Sequence, residues 1–156
     1  MNIFVLDNSP ETSAQYMCDK HIPKMILETA QLLCSAYDSA PYKRTHYNHP
    51  CAKWTRQSQQ NYSWLIRHGY ALQEEYSKRY AKRHKSFDVI VWCYENRQSL
   101  KIDDNGLTDF VLCMPDQYKG GGAIESYRRY YRLGKPFARW DKLGNMPDWM
   151  KCASDR

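Results

Sequence analysis

The chain has 156 residues, 42% of them hydrophobic and 26% charged, with a formal net charge of +6. That length fits one domain with a proper core, and no apolar run approaches the roughly 18 residues of a membrane span. The start, Met1 to Asp7, lacks a basic flank and is too briefly apolar for a signal peptide.

Ile3 to Leu6 reads as a short extended segment. Ser9-Pro10-Glu11 is a helix start, with a hydroxyl cap, proline at the first position and an acid in the first turn. That helix is expected to run to about Lys20, where Pro23 breaks it, and a second to run from Pro23 to about Tyr37. On the second, Lys24, Glu28, Gln31 and Ser35 share a polar stripe. After a loop over 38–49, Pro50 opens the longest predicted helix, capped by Asn48 or His49 and ending near Lys82 to His84. Its apolar spacing is Tyr62, Leu65, Gly69, Leu72, Tyr76 and Tyr80. Ser86 caps another helix through about Asn96, and a last one runs from Ala123 to Leu133, stopped by Gly134. The tail, with Trp140, Pro147 and Trp149, reads as packed. The expected fold is mainly α: a single compact domain over 1–156 of about five helices, with a short extended N-terminal segment.

Cys18, Cys34, Cys51, Cys93, Cys113 and Cys152 are scattered without a Cys-x-x-Cys pair, which favours reduced thiols and a cytoplasmic setting. The positive charge favours acidic partners, and 13 tyrosines and 5 tryptophans interleave with the cations. Aromatic faces stack on bases while cations meet phosphates, so DNA or a nucleotide is the expected partner.

Chemistry concentrates between Cys18 and Glu28. Lys24 or Lys20 can serve as an amine nucleophile or phosphate ligand, supported by Asp19, His21 or Glu28. Lys24 and Glu28 also have the spacing of an ordinary surface pair. Cys18-x-x-His21 and His46-x-x-His49 together offer a four-donor, zinc-like set, although His49 also reads as a helix cap and no cofactor is favoured. Gly120-Gly121-Gly122 precedes a helix N-terminus, a place for an anion or only a flexible turn. Behind it, Tyr127, Tyr130 and Tyr131 share a face flanked by Arg128, Arg129 and Arg132: either core tyrosines with a solvated arginine face, or a wall for nucleic acid. Asn48, His49, Arg56, Gln57, Asn61 and Trp64 gather at the start of the long helix, where amides can read bases or hold a ribose.

The order of a short apolar start, a helix and then Asp19-Lys20-His21-Ile22-Pro23-Lys24 resembles the small helical pyrimidine-dimer DNA glycosylases of bacteriophages. The Asn48-His49-Pro50 helix start and the aromatic Pro-x-Trp ending are similar to wider members, and the Cys-Asp-Lys-His and Asn-His-Pro elements to further phage-borne proteins. The resemblance implies an all-α fold clamping DNA, base flipping, glycosidic cleavage and abasic-site lyase chemistry. Lys20 and Lys24 match its basic phosphate-binding positions, and His21 stands where the family has its catalytic glutamate. Imidazole does not simply replace a carboxylate near pH 7. The family's nucleophile is the α-amino group exposed after methionine removal, for which Asn2 is too bulky. The resemblance therefore leaves glycosylase or lyase activity on DNA or a nucleotide beside non-catalytic nucleic-acid or nucleotide binding.

Overall fold

The computed structural model describes residues 1–151, so Cys152 lies outside the described residues. Ser9 opens α1 (Pro10–Tyr16) by accepting the Thr12 N–H at 3.2 Å, with Pro10 in the first turn. The helix stops sooner than its pattern implied, because Met17 turns to extended backbone. A short turn then leads to α2 (His21–Cys34). Pro23 therefore lies in the first turn of α2 and breaks nothing: the N–H it lacks would have had no intrahelical acceptor there.

The expected helix from Pro50 is two helices, α3 (Pro50–Thr55) and α4 (Gln59–Tyr80). Arg56 leaves helical geometry, and Ser58 restarts it by accepting the Asn61 N–H at 3.0 Å. A hydroxyl at an N-cap competes with helix continuation, so a strong cap inside an otherwise helical run divides it. α5 (Lys85–Glu95) and α6 (Ala123–Gly134) follow. The described residues thus hold six α-helices and three single 3₁₀ turns, with no strand.

α4 is the central element, packed on α1, α2 and α5. It approaches its neighbours through Gly69, where an added Cβ would lie 3.0 Å from Ile90 Cδ1 and 3.2 Å from Thr29 Cγ2. A buried ion group ties α4 to the turn before α2. The fully buried Arg79 side chain donates to Glu75 at 2.8 Å, to Asp19 at 3.1 Å and to the Met17 carbonyl at 2.6 Å. No helix among the described residues is long and apolar enough to cross a membrane.

The segment Ile3–Leu6 is buried but forms no strand. It is folded by Asn2, whose Oδ1 accepts the Ile3 and Phe4 N–H groups at 2.8 and 3.1 Å. Phe4 sits at φ +55°, a left-handed conformation that a bulky residue rarely adopts. The tail is packed as expected: the Trp140 indole donates to the Tyr16 carbonyl at 2.9 Å, and Trp149 meets Tyr16 and Tyr131 edge-on or tilted.

Candidate active site

The folded N-terminal segment brings the chain's first amine to the middle of α2. The Met1 ammonium lies 3.6 Å from Glu28 Oε1, and the Asn2 N–H donates to the same oxygen at 3.0 Å. The Asn2 side-chain amide donates to the Cys113 carbonyl at 2.8 Å, so both ends of residue 2 are held. Glu28 is only 9% exposed, hence neither solvated surface nor a simple partner of Lys24. Seven residues beyond His21 and two helical turns along, it lies on the same side of α2 as the position where the resemblance implied a carboxylate.

Amine and carboxylate open into a cleft of about 500 Å³ lined by Lys24, Glu28, His49, Cys113, Tyr130 and Lys135, among others. Lys135 holds its Nζ 4.5 Å from the Tyr130 ring centre, and Lys20 lies 4.9 Å over Phe137. The larger apolar groove between α4 and α5, near 760 Å³, contains none of these groups.

His21 is buried beneath this cationic rim. Its Nδ1 is hydrogen-bonded to the Tyr131 hydroxyl at 2.7 Å, and Phe4 packs 4.5 Å from its ring. Burial, followed by the charges of Lys135, Lys24 and Lys20, holds the imidazole down to about 3, so it is neutral near pH 7. It has no exposed face to offer a substrate. Asp19 is likewise engaged: one oxygen meets Arg79, and the other accepts the Lys142 N–H at 3.1 Å. Of the residues singled out between 18 and 28, Lys24 and Glu28 line the cleft, while Cys18 hydrogen-bonds Tyr131 in the core.

The arginine–tyrosine helix corrects one expectation. Tyr127 and Tyr131 are 0% exposed, so neither can stack on a base. Their hydroxyls serve the interior, Tyr127 donating to the Val111 carbonyl at 2.6 Å and Tyr131 accepting the Cys18 N–H at 3.3 Å. Arg128 is turned inward too, donating to the Leu6 carbonyl at 2.9 Å and to Asp7 at 3.0 Å. Tyr130, half-buried, is the tyrosine of this helix that reaches the cleft.

At the start of α3, His49 is the cap, its Nδ1 accepting the Cys51 N–H at 3.1 Å, and it also lines the cleft. Asn48 is exposed just before it. Arg56 lies over the Tyr47 ring at 3.7 Å and donates to the Tyr47 carbonyl. Gln57 accepts from Thr108 at 3.1 Å, and buried Asn61 spends its amide on the Trp54 carbonyl and Thr108. The zinc-like set of Cys18, His21, His46 and His49 is not gathered. Among the described residues, the donors that converge are His49, Cys51 and Cys113.

The family described as pyrimidine dimer DNA glycosylase matches residues 1–88, more than half of the chain. The chain belongs to that family. The match covers α1 to α4 and the first turn of α5, and so carries Lys24, Glu28 and His49. Cys113, Tyr130 and Lys135 come from the chain beyond it. No curated protein and no solved structure matches the chain. The family makes DNA the substrate and a DNA glycosylase the class of activity.

Cys113 and Lys135 had no role in the sequence reading of the site, Tyr130 entered it only with Tyr127 and Tyr131, and Asn2 only as a bar to methionine removal. Asn2 carried a usable signal, since asparagine readily closes a turn on the next two backbone amides. Lys135 and Cys113 carried none, because only tertiary packing brings them to α2.

Proposed function

We propose that the chain cleaves the glycosidic bond of a damaged pyrimidine in DNA by attack of the Met1 α-amino group on the sugar C1′, with Glu28 as the catalytic carboxylate. The observation that carries this reading is the contact of Met1 and Asn2 nitrogens with one oxygen of Glu28 inside a cleft that Lys24 and Lys135 also line. The Met1 amine stands 3.6 Å from the carboxylate, within reach of a sugar carbon held between them. An α-amino group is intrinsically less basic than a lysine side-chain amine, which makes it the better amine nucleophile near neutrality.

Met1 attacks as the free amine, its ammonium proton given up to water. The lone pair forms a bond to C1′ as the C1′–N glycosidic bond breaks. The glycosidic electron pair goes to the base, which takes a proton from water and, in a dimer, stays joined to its neighbouring pyrimidine. The negative Glu28 stabilises the positive charge that develops on the sugar. Loss of a proton from the amine and opening of the sugar give a Schiff base. Loss of the C2′ proton then expels the 3′ phosphate, cutting the strand. Lys20, Lys24 and Lys135 hold backbone phosphates, and the exposed Phe137 and half-buried Tyr130 offer faces to an extruded nucleotide.

Duplexes bearing a pyrimidine dimer, tested beside undamaged duplexes for strand cleavage at the dimer and for binding, check this. Wild-type protein cuts the damaged strand; Glu28→Gln binds it with similar affinity and loses cutting by about 10² or more. Binding without cutting by the wild type would instead support a non-catalytic DNA-binding protein.

A further inference from the structure

We propose that His49, Cys51 and Cys113 bind a divalent metal ion of the zinc type at the edge of the cleft. Their donor atoms all lie within 4.8 Å of one another, and the two sulfurs are 3.3 Å apart. Two thiols and an imidazole are the donor types that zinc prefers, and a Cys₂His set leaves the fourth tetrahedral position for water or a substrate group.

The three donors come from two places held together by other bonds. His49 and Cys51 flank Pro50 at the start of α3, where helix geometry begins. Cys51 is fully buried, and its carbonyl is held by the Thr55 hydroxyl at 2.8 Å. Cys113 enters from the long connection before α6. Its N–H donates to the Tyr127 hydroxyl at 3.1 Å, and its carbonyl accepts from Asn2 at 2.8 Å. The segments that carry the donors are therefore held by hydrogen bonds of their own.

His49 presents a lone pair at Nδ1, which now accepts the Cys51 N–H. Coordination through Nδ1 exchanges that bond for the metal and leaves the Nε2 proton for an outer partner. Binding displaces the two thiol protons to solvent, so affinity rises with pH. His49 and Cys113 line the cleft beside Met1 and Glu28. A metal there joins the start of α3 to the 113 segment, the two walls that flank the N-terminal amine.

The inference stands apart from the Met1–Glu28 reading, because it is read by metal content and not by strand cutting. Fully reduced, full-length protein is titrated with Zn²⁺ against a chromophoric chelator and, separately, with Co²⁺ for thiolate charge-transfer absorption. The expected result is about one equivalent bound, the cobalt band, and a melting temperature raised by about 5–10 °C at hundredfold excess over the dissociation constant. His49→Asn keeps a good helix cap, and Cys113→Ser changes a half-buried side chain, so both variants should fold. Each should lose more affinity than the roughly 10–100-fold that removing an outer-shell partner costs. Binding below about 0.1 equivalent, no cobalt–thiolate band, or affinity unchanged in both folded variants overturns the proposal. So does a Cys51–Cys113 disulfide in the purified protein that, once reduced, binds no metal.

Discussion

Replacing Arg79 by alanine should be among the most damaging single changes outside the apolar core. The guanidinium is completely buried and donates to two carboxylates, Glu75 and Asp19, and to the Met17 and Gln15 carbonyls. Alanine leaves both acids buried without their counter-charge, a situation that costs about 3–5 kcal/mol when one partner of a buried pair is deleted. Asp19 keeps the Lys142 N–H and Glu75 keeps a looser contact with Lys78 at 3.8 Å, which favours the lower end of that range. For a domain of this size, that corresponds to a fall in melting temperature of about 6–15 °C. Urea denaturation of wild type, Arg79→Ala, Arg79→Lys and the triple variant Asp19→Asn, Glu75→Gln, Arg79→Met measures it. Lysine should recover part of the loss, since it restores the charge but not the planar fork. The triple variant should recover more, because no uncompensated charge remains. A loss below about 1 kcal/mol for Arg79→Ala would refute the idea that this ion group anchors the turn leading into α2.

Gly69→Ala should cost about 1–3 kcal/mol by pushing α4 off Ile90 and Thr29; Ile90→Val in the same chain should return part of it in a thermal melt. His68 is buried with its Nδ1 on the Pro10 carbonyl at 3.0 Å, and burial holds it down to about 4. An unfolded-state value near 6.5 means that the unfolded chain binds the extra proton, so the full stability present above pH 6.5 is lost progressively toward pH 4, by about 3 kcal/mol. His21, held down to about 3, adds a loss of the same sign, and His68→Gln should flatten the urea midpoint against pH between 6.5 and 4. Lys24→Ala and Lys135→Ala should each weaken DNA binding on every sequence and lower the slope of log affinity against log salt by about 0.9, read by fluorescence anisotropy.

Helix starts marked by backbone chemistry could be read directly from the chain. Ser9-Pro10-Glu11 and the Gly134 stop act through their immediate neighbours, and α1 and α6 begin and end with them. Breaks were harder: Pro23 fits a helix's first turn, where its missing donor is irrelevant, while the division at 56–58 depends on Ser58 facing its own Asn61 amide. The site was half legible. Of the reactive groups from Cys18 to Glu28, Lys24 and Glu28 line the cleft, and a polar stripe on one helix does not tell which members a second segment will cover. His21 and Asp19 were claimed by Tyr131 and Arg79, more than fifty residues away in the chain, whereas Glu28 was met by the first amine. Tyr127 and Tyr131 share the pattern of an exposed aromatic face, and only the segments packed over them make them core.

The pairing of the N-terminal amine with Glu28 is tested most directly by borohydride trapping on dimer-containing or abasic DNA, followed by mass spectrometric mapping of the adduct. A reduced covalent adduct is expected on the peptide containing Met1, at its α-amino nitrogen, with little or none formed by Glu28→Gln on dimer-containing DNA. An adduct on Lys24 or Lys135, or full trapping of dimer-containing DNA by Glu28→Gln, would contradict the pairing.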